Sequence, residues 1–154
     1  MAGPLDGYRV LDVSAGAAGP IAAELLAGLG ADVIKVEPPW GDIIRNRPPY
    51  KNGVDLMISA FSRGKRSIVL DLNTAKDRQM MTALIKWADF FIENYKFGTA
   101  EKMDLGYEKL RTINPRIIYA SAGGYGHKGP LRQKGTMGNT SAQFAGWSSI
   151  SGQP

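Results

Sequence analysis

YRVLDVSAGAAGPIAAELLAGLGADVIKVE, residues 8–37, is the stretch whose reading decides the fold. Tyr8 to Val13 is a short apolar, β-branched run bounded by Gly7 and Ser14, which reads as a buried strand. Gly16 to Gly19 supplies a turn. Pro20 suits a first helical position, where its missing N–H would have no intrahelical acceptor. Ile21, Leu25 and Leu26 share one helical face, and Gly28 and Gly30 mark the stop. Asp32 to Glu37 is a second strand, ended by Pro38 and Pro39, which lack the donors a ladder needs. Strand, glycine turn, helix and strand within about 30 residues is the length of a βαβ unit with its right-handed crossover.

The alternation continues outward. Residues 40–64, rich in Pro, Gly, Asn and Arg with little periodicity, are expected to form a long surface excursion, a kind of segment that often carries function. Ser67 to Leu72 is predicted as a third strand, with Asn73 and Thr74 as cap candidates and Asp77 favouring the positive end of the following helix. Met80, Met81, Leu84, Ile85 and Ala88 recur at helical spacing and predict a helix over Ala75 to Trp87, its methionines filling core. Asp89 to Ile92 makes a fourth strand, Tyr107 to Ile113 a short helix, and Arg116 to Ala122 a fifth strand running into Gly123, Gly124, Tyr125 and Gly126. A last helix is expected within Asn139 to Ser151. Such alternation predicts an α/β domain, a parallel sheet with helices on its faces.

Composition narrows the function classes. The 154 residues are 44% hydrophobic and 21% charged, ordinary for a globular chain, and 154 residues suffice for one core. With no cysteine and one histidine, His127, the chain offers no disulfide, thiolate nucleophile, cysteine zinc site or His-rich metal site. MAGPLDGYRVLDVS lacks the basic and apolar regions of a signal peptide, and no run reaches the ~20 apolar residues of a membrane span, so a soluble cytoplasmic protein with no membrane partner is expected. The net charge of +5 favours an anionic partner. Its cations are scattered rather than gathered in a stripe with aromatics, which argues against nucleic acid.

In an open parallel sheet, ligands lie at the carboxyl ends of the strands. Ala15 to Gly19, Glu37, Asn73, Glu93 to Lys96, and Gly123 to Gly126 all fall at such ends and imply a shared crevice. Glu37 stands where the ribose-binding acid of a dinucleotide site would lie, yet GAAG has the wrong spacing for that fingerprint. A strand-end acid, solvated or paired with a nearby lysine, is the simpler reading of Glu37.

The runs PLDGYRVLDVS, AGP, LLAGLGADVIKVEPPWGD, GKRSIVLDLNTAKDR, ADFFIENYKFGTAEKMDLGYEKLRTINPRIIYASAGGYGHKGP and SAQFAGWSSISG cover nearly the whole chain. In order and spacing they resemble the blocks of the family III CoA-transferases, which include formyl-CoA and carnitine CoA-transferases and have the 2-methylacyl-CoA racemases as relatives. The resemblance implies two interlocked subunits, each with a Rossmann-like N-terminal part, and a coenzyme A moiety lying along the loops above. Carried over by position, Ala17 and Ala18, then Leu70, Asp71, Leu72 and Asn73, then Asn94, Tyr95 and Lys96 would border the coenzyme, with Lys102 and the loop Lys134, Gly135, Thr136 and Met137 completing the groove. Lys65, Arg66, Lys96, Lys102 and Lys134 offer cations for its phosphates.

The family's chemistry uses an aspartate nucleophile that lies a little beyond the SAQFAGWSSISG block. Residues 1–154 are therefore expected to be the N-terminal CoA-binding domain, truncated before the catalytic Asp and the C-terminal domain, with no catalytic residue of their own and no activity alone. The implied substrates are an acyl-CoA and a carboxylic acid, with no metal, and the implied assembly is an interlocked homodimer in the full-length form or a pairing with a second family subunit. Ala17, Ala18 and Pro38 stand where members often carry polar or basic residues, and Ser62, Arg63 and Gly64 replace a common Asn. Thr136 stands where a racemase carries a proton-transferring His, which argues against that branch. The rival from another class is a noncatalytic CoA- or nucleotide-binding module.

Overall fold

The computed structural model describes residues 3–135 and 138–152. Strand β1 (Arg9–Asp12), helix α1 (Ala18–Gly28) and strand β2 (Asp32–Glu37) form the expected βαβ unit. They are followed by a two-stranded hairpin, β3 (Tyr50–Lys51) and β4 (Val54–Asp55), and helix α2 (Leu56–Phe61). Then come β5 (Lys65–Val69), α3 (Ala75–Trp87), β6 (Phe90–Glu93), α4 (Thr99–Lys102), α5 (Tyr107–Ile113), β7 (Ile118–Ser121), α6 (Gly138–Phe144) and a 3₁₀ turn at Trp147–Ser149. The main sheet has the order β5-β2-β1-β6-β7 with every pairing parallel. This is the doubly wound arrangement, and its order reverses between β1 and β6.

Strand alternation sorts the core into two layers. Leu11, Val13, Val36 and Phe91 pack with Met81, Ile85 and Leu110 of α3 and α5. Val10, Val33 and Ile92 pack with Ala23 and Leu26 of α1. Each fully buried Leu, Phe or Ile contributes about 1.5–3 kcal/mol. Of the two methionines assigned to the core, Met81 is buried and Met80 is exposed.

Four sequence expectations shift. Helix α1 begins at Ala18, so Pro20 is its third residue; the N–H it lacks is still among the first four, which have no intrahelical acceptor. The third strand is Lys65–Val69 rather than Ser67–Leu72: β2 stops at Glu37 before Pro38, and Asp71 to Thr74 instead closes a turn through Thr74 N–H to the Asp71 carbonyl. The excursion at 40–64 is partly ordered. Its hairpin turns at Asn52-Gly53, both with positive φ (52° and 77°), a backbone that Asn and Gly accept readily, and Asp55 caps α2 by accepting from Met57 and Ile58 N–H. The single helix expected over 139–151 is broken at Gly146, whose φ is 83°. Helix α4 has no counterpart among the sequence expectations. The Thr74 cap, by contrast, forms as expected, its Oγ1 accepting from Asp77 N–H at 3.2 Å.

Candidate functional site

The carboxyl ends of β1, β2, β5 and β6 open onto a pocket of about 520 Å³. Its floor is aliphatic and thioether, from Val13, Val36, Leu70, Leu72, Met81 and Met103. The loop after β2, Pro38 to Ile43, also lines it, as do Asp71, Asn73, Arg78, Tyr95 and Lys102. A doubly wound sheet places its crevice at this edge.

The walls are tied together by buried charge. Lys35, whose side chain is 1% exposed, pairs with Asp42 Oδ2 at 2.8 Å and donates to the Ser14 carbonyl at 2.8 Å. Asp42 Oδ1 accepts from Gly16 N–H and Ile44 N–H, so one carboxylate joins the loop after β1 to the loop after β2. Glu37 is also buried. Arg45 grips it with two 2.6 Å bonds, while Ser67 Oγ and Asp42 N–H supply two more donors. The Arg45 guanidinium outweighs burial and holds the Glu37 carboxyl down at about 2. Glu37 is therefore neither a ribose ligand nor a lysine partner; it anchors the loop.

A second buried charged group lies near the same strand ends. Lys65 Nζ lies 2.7 Å from Asp12 Oδ2 and from the Pro20 carbonyl, and Asp12 also accepts from the Ser14 hydroxyl and N–H. Burial pushes the Lys65 pKa down against the opposing pull of Asp12. Lys65, offered as a phosphate partner on sequence grounds, is thus internal. Arg66 is likewise occupied, forked onto Asp32 at the surface.

The residues carried over from the family fall into three groups. Leu70, Asp71, Leu72, Asn73, Tyr95 and Lys102 line the pocket. Ala17 and Ala18 are exposed at the start of α1, outside the pocket lining; Asn94 lies behind the lining, and both edges of its amide are spent on Ala15, accepting from its N–H at 2.9 Å and donating to its carbonyl at 2.6 Å. Lys134 is exposed and Lys96 lies outside the pocket lining; a Cβ added at Gly135 would lie 3.6 Å from Lys96 Cδ, so these loops run close together. Thr136 and Met137 lie outside the described residues. His127 is exposed, with Nε2 2.5 Å from Ser121 Oγ.

Other members of the site, Arg78, Trp40 and Ile43 among them, carry no site assignment in the sequence reading. Arg78 donates to the Leu72 carbonyl at 2.6 Å and so braces the 70–73 turn from the first turns of α3; its place four residues after the Thr74 cap is the available signal. Trp40 and Ile43 lie in a segment without periodicity, which hides them. Tyr95 is a neutral phenol, pushed up to about 12 by burial, with the nearby Glu93 carboxylate acting in the same direction. Glu93 is buried and accepts from Tyr95 N–H at 2.6 Å. Among the described residues, no group of three or more His, Cys, Asp or Glu side chains could hold a metal ion, and no helix is long and apolar enough to cross a membrane.

Comparison with known proteins gives a consistent picture. A family model described as CoA-transferase family III matches residues 5–154. Succinyl-CoA:mesaconate CoA-transferase of Haloarcula hispanica is 48% identical over 129 residues, covering 80% of this chain and 33% of that protein. Succinyl-CoA--D-citramalate CoA-transferase of Chloroflexus aurantiacus is 40% identical over 154 residues, 98% of this chain and 38% of that protein. A solved CAIB/BAIF family protein from Brucella suis superposes with a TM-score of 0.93 at 38% identity, over 100% of this chain and 42% of that one. The chain thus spans between 33% and 42% of these relatives' length. With its doubly wound sheet and the pocket at the carboxyl edge, the chain belongs to CoA-transferase family III.

Proposed function

We propose that the chain is the coenzyme-A-binding part of a CoA-transferase that moves CoA from an acyl-CoA thioester to a carboxylic acid. The pocket carries this reading: six of the residues assigned to the coenzyme from sequence converge on it, and it is large enough for a substantial part of such a ligand. Its polar side supports an anionic occupant. Lys102 and Arg78, the latter 3.4 Å from Asp104, bring cations to its lining, while the carboxylates of Glu37 and Asp42 are spent on Arg45 and Lys35 and Asp71 accepts from Asn73.

The reaction is an exchange between carboxylates. An aspartate nucleophile attacks the thioester carbonyl and expels CoA thiolate, leaving a mixed anhydride. The thiolate attacks the aspartyl carbonyl and releases the first acid, giving an aspartyl-CoA thioester. The acceptor carboxylate then repeats the two steps in reverse order. This nucleophile is assigned outside residues 1–154. Asp12 and Asp42 neutralise buried lysines, and Asp71 closes a turn by accepting from Asn73 N–H, so each has a structural role. The chain alone is accordingly expected to bind CoA without turning it over.

Partner contacts belong to the same reading. Phe144, Trp147 and Ile150 are 71%, 65% and 81% exposed in the C-terminal segment, an apolar surface suited to cover by a second subunit or by further chain. A cysteine-free chain requires no oxidising compartment, in keeping with a cytoplasmic enzyme.

Calorimetric titration with CoA and with NADH tests the assignment. CoA heat without NADH heat is the expected result; tight NADH binding without CoA binding would overturn it in favour of a dinucleotide module. A transferase assay of the chain by itself is expected to be silent, and robust turnover would refute the placing of the nucleophile.

A further inference from the structure

Arg78 lines two cavities at once. It borders the pocket at the strand ends and also a smaller cavity of about 160 Å³ between α3, α5 and the turn after α4. Leu72, Met81 and Met103 likewise line both, so these four side chains form the partition between them. The guanidinium is held from one corner. Its Nε donates to the Leu72 carbonyl at 2.6 Å, whereas Nη1 reaches Asp104 Oδ2 only at 3.4 Å, and Nη2 has no partner among the described residues. Most of its five N–H donors are thus weakly used or unspent. Asp104 lines the small cavity but not the pocket, and so draws the guanidinium away from the pocket. The backbone fixes its place. Asp104 has φ of 58°, a left-handed conformation that Asp and Asn accept more readily than other residues with a Cβ, and its N–H closes a turn on the Glu101 carbonyl at 3.1 Å.

We propose that Arg78 is a phosphate-binding group for the coenzyme and Asp104 its resting counter-ion, the guanidinium exchanging Asp104 for a phosphate when the pocket fills. The inference rests on the CoA-binding reading above and adds to it a specificity residue and a competitor built into the fold. The Nε bond to Leu72 is the pivot, and the two terminal nitrogens are the fork that meets phosphate oxygens. Arginine keeps its charge throughout, so the exchange needs no proton. Both Arg78 and Asp104 are more than half exposed, and a long pair between such groups is weak and easily replaced. Asp104, once released, is solvated by water. Asp104 therefore acts through Arg78 to lower CoA affinity, and removing its charge should tighten binding, an effect that a purely structural ion pair would not produce.

Calorimetric titration at low salt tests the exchange. Asp104→Asn keeps the left-handed turn and removes only the charge, so CoA affinity is expected to rise about two- to fivefold. Arg78→Gln is expected to lower it by about tenfold or more. In the Arg78→Gln background, Asp104→Asn should add nothing. Pantetheine, which carries no phosphate, should bind all these chains alike. Dephospho-CoA identifies the group: an Arg78 effect kept with it assigns the diphosphate, and one lost with it assigns the 3′-phosphate. A gain from Asp104→Asn that persists without Arg78 is plain removal of a repelling charge and overturns the proposal alone. Unchanged or lowered CoA affinity in Asp104→Asn, or undiminished affinity in Arg78→Gln, does the same. Absence of CoA heat in the parent chain overturns the CoA-binding reading, and this proposal with it. If Arg78→Gln fails to fold, the Arg78 Nε–Hε magnetic resonance signal of the parent decides: it should move with CoA and not with pantetheine, and a signal unmoved by saturating CoA overturns the exchange.

Discussion

Replacing Lys35 by methionine removes the cation that joins the two pocket loops while leaving the side-chain volume nearly unchanged. Two costs can be worked from the structure. Asp42, 3% exposed, loses its ion pair and retains only the Gly16 and Ile44 N–H donors. Stranding one member of a buried pair costs about 3–5 kcal/mol. The Ser14 carbonyl also loses its Lys35 donor, a further ~1 kcal/mol. A domain of this size has roughly 5–15 kcal/mol of stability, and each kcal/mol shifts its melting temperature by about 2–4 °C. Lys35→Met should therefore melt at least about 8 °C below the parent. The informative comparison is Lys35→Met combined with Asp42→Asn, because the double variant has no stranded charge and the new amide oxygen can still accept the two N–H bonds. Urea unfolding followed by far-ultraviolet circular dichroism should show the double variant less destabilised than the sum of the singles, by about 2 kcal/mol or more. Strict additivity, or a Lys35→Met cost below about 1 kcal/mol, would show that the pair does not hold the loops.

Other expectations follow from neighbouring contacts. Glu37 titrates at about 2 in the folded chain against an ordinary 4.5, so its contribution, on the order of 3 kcal/mol, is complete above pH 4.5 and is lost as pH falls toward 2. The stability gap between the parent and Arg45→Ala should accordingly be widest near pH 6 and close by pH 2; a gap independent of pH would contradict the pairing. At Gly19, an added methyl would overlap the Ser14 side chain, so Gly19→Ala should destabilise by about 1–3 kcal/mol in urea unfolding despite the higher helix propensity of alanine. Tyr95, raised to about 12, and Tyr119, also pushed up by burial, should stay un-ionised in the native protein at pH 11 while exposed tyrosines titrate at 295 nm. Full ionisation of all six tyrosines there without unfolding would refute the burial.

The doubly wound class is legible because its signals are local. Residues 8–37 carry two apolar strands, a glycine turn and a helix whose apolar residues keep period, and the right-handed crossover then allows few arrangements. Thr74 with Asp77 can be read as a cap because the interaction spans three residues. The order in the 40–64 segment escapes a search for periodicity because it comes from a two-residue Asn52-Gly53 turn and an Asp55 cap. Of the coenzyme residues that converge on the pocket, Leu70 to Asn73 and Tyr95 follow strand ends, and Lys102 comes from α4. Asn94 is the clearest of those that do not: an amide able to bond a ligand can equally bond the backbone of Ala15, 79 residues away.

The sequence by itself determined the α/β class, the strand order within the first crossover and the family. Tertiary structure alone decided which charged groups are paired inside the fold and which line the pocket. Lys35 and Lys65 look alike in sequence to Lys102, yet the first two are neutralised by carboxylates inside the fold, while Lys102 lines the pocket, as does Arg78, which pairs with Asp104 at 3.4 Å. Ion pairing across 39 positions, as between Arg63 and Glu24, or 53, as between Lys65 and Asp12, has no local signature, because it depends on where the sheet register sets each side chain.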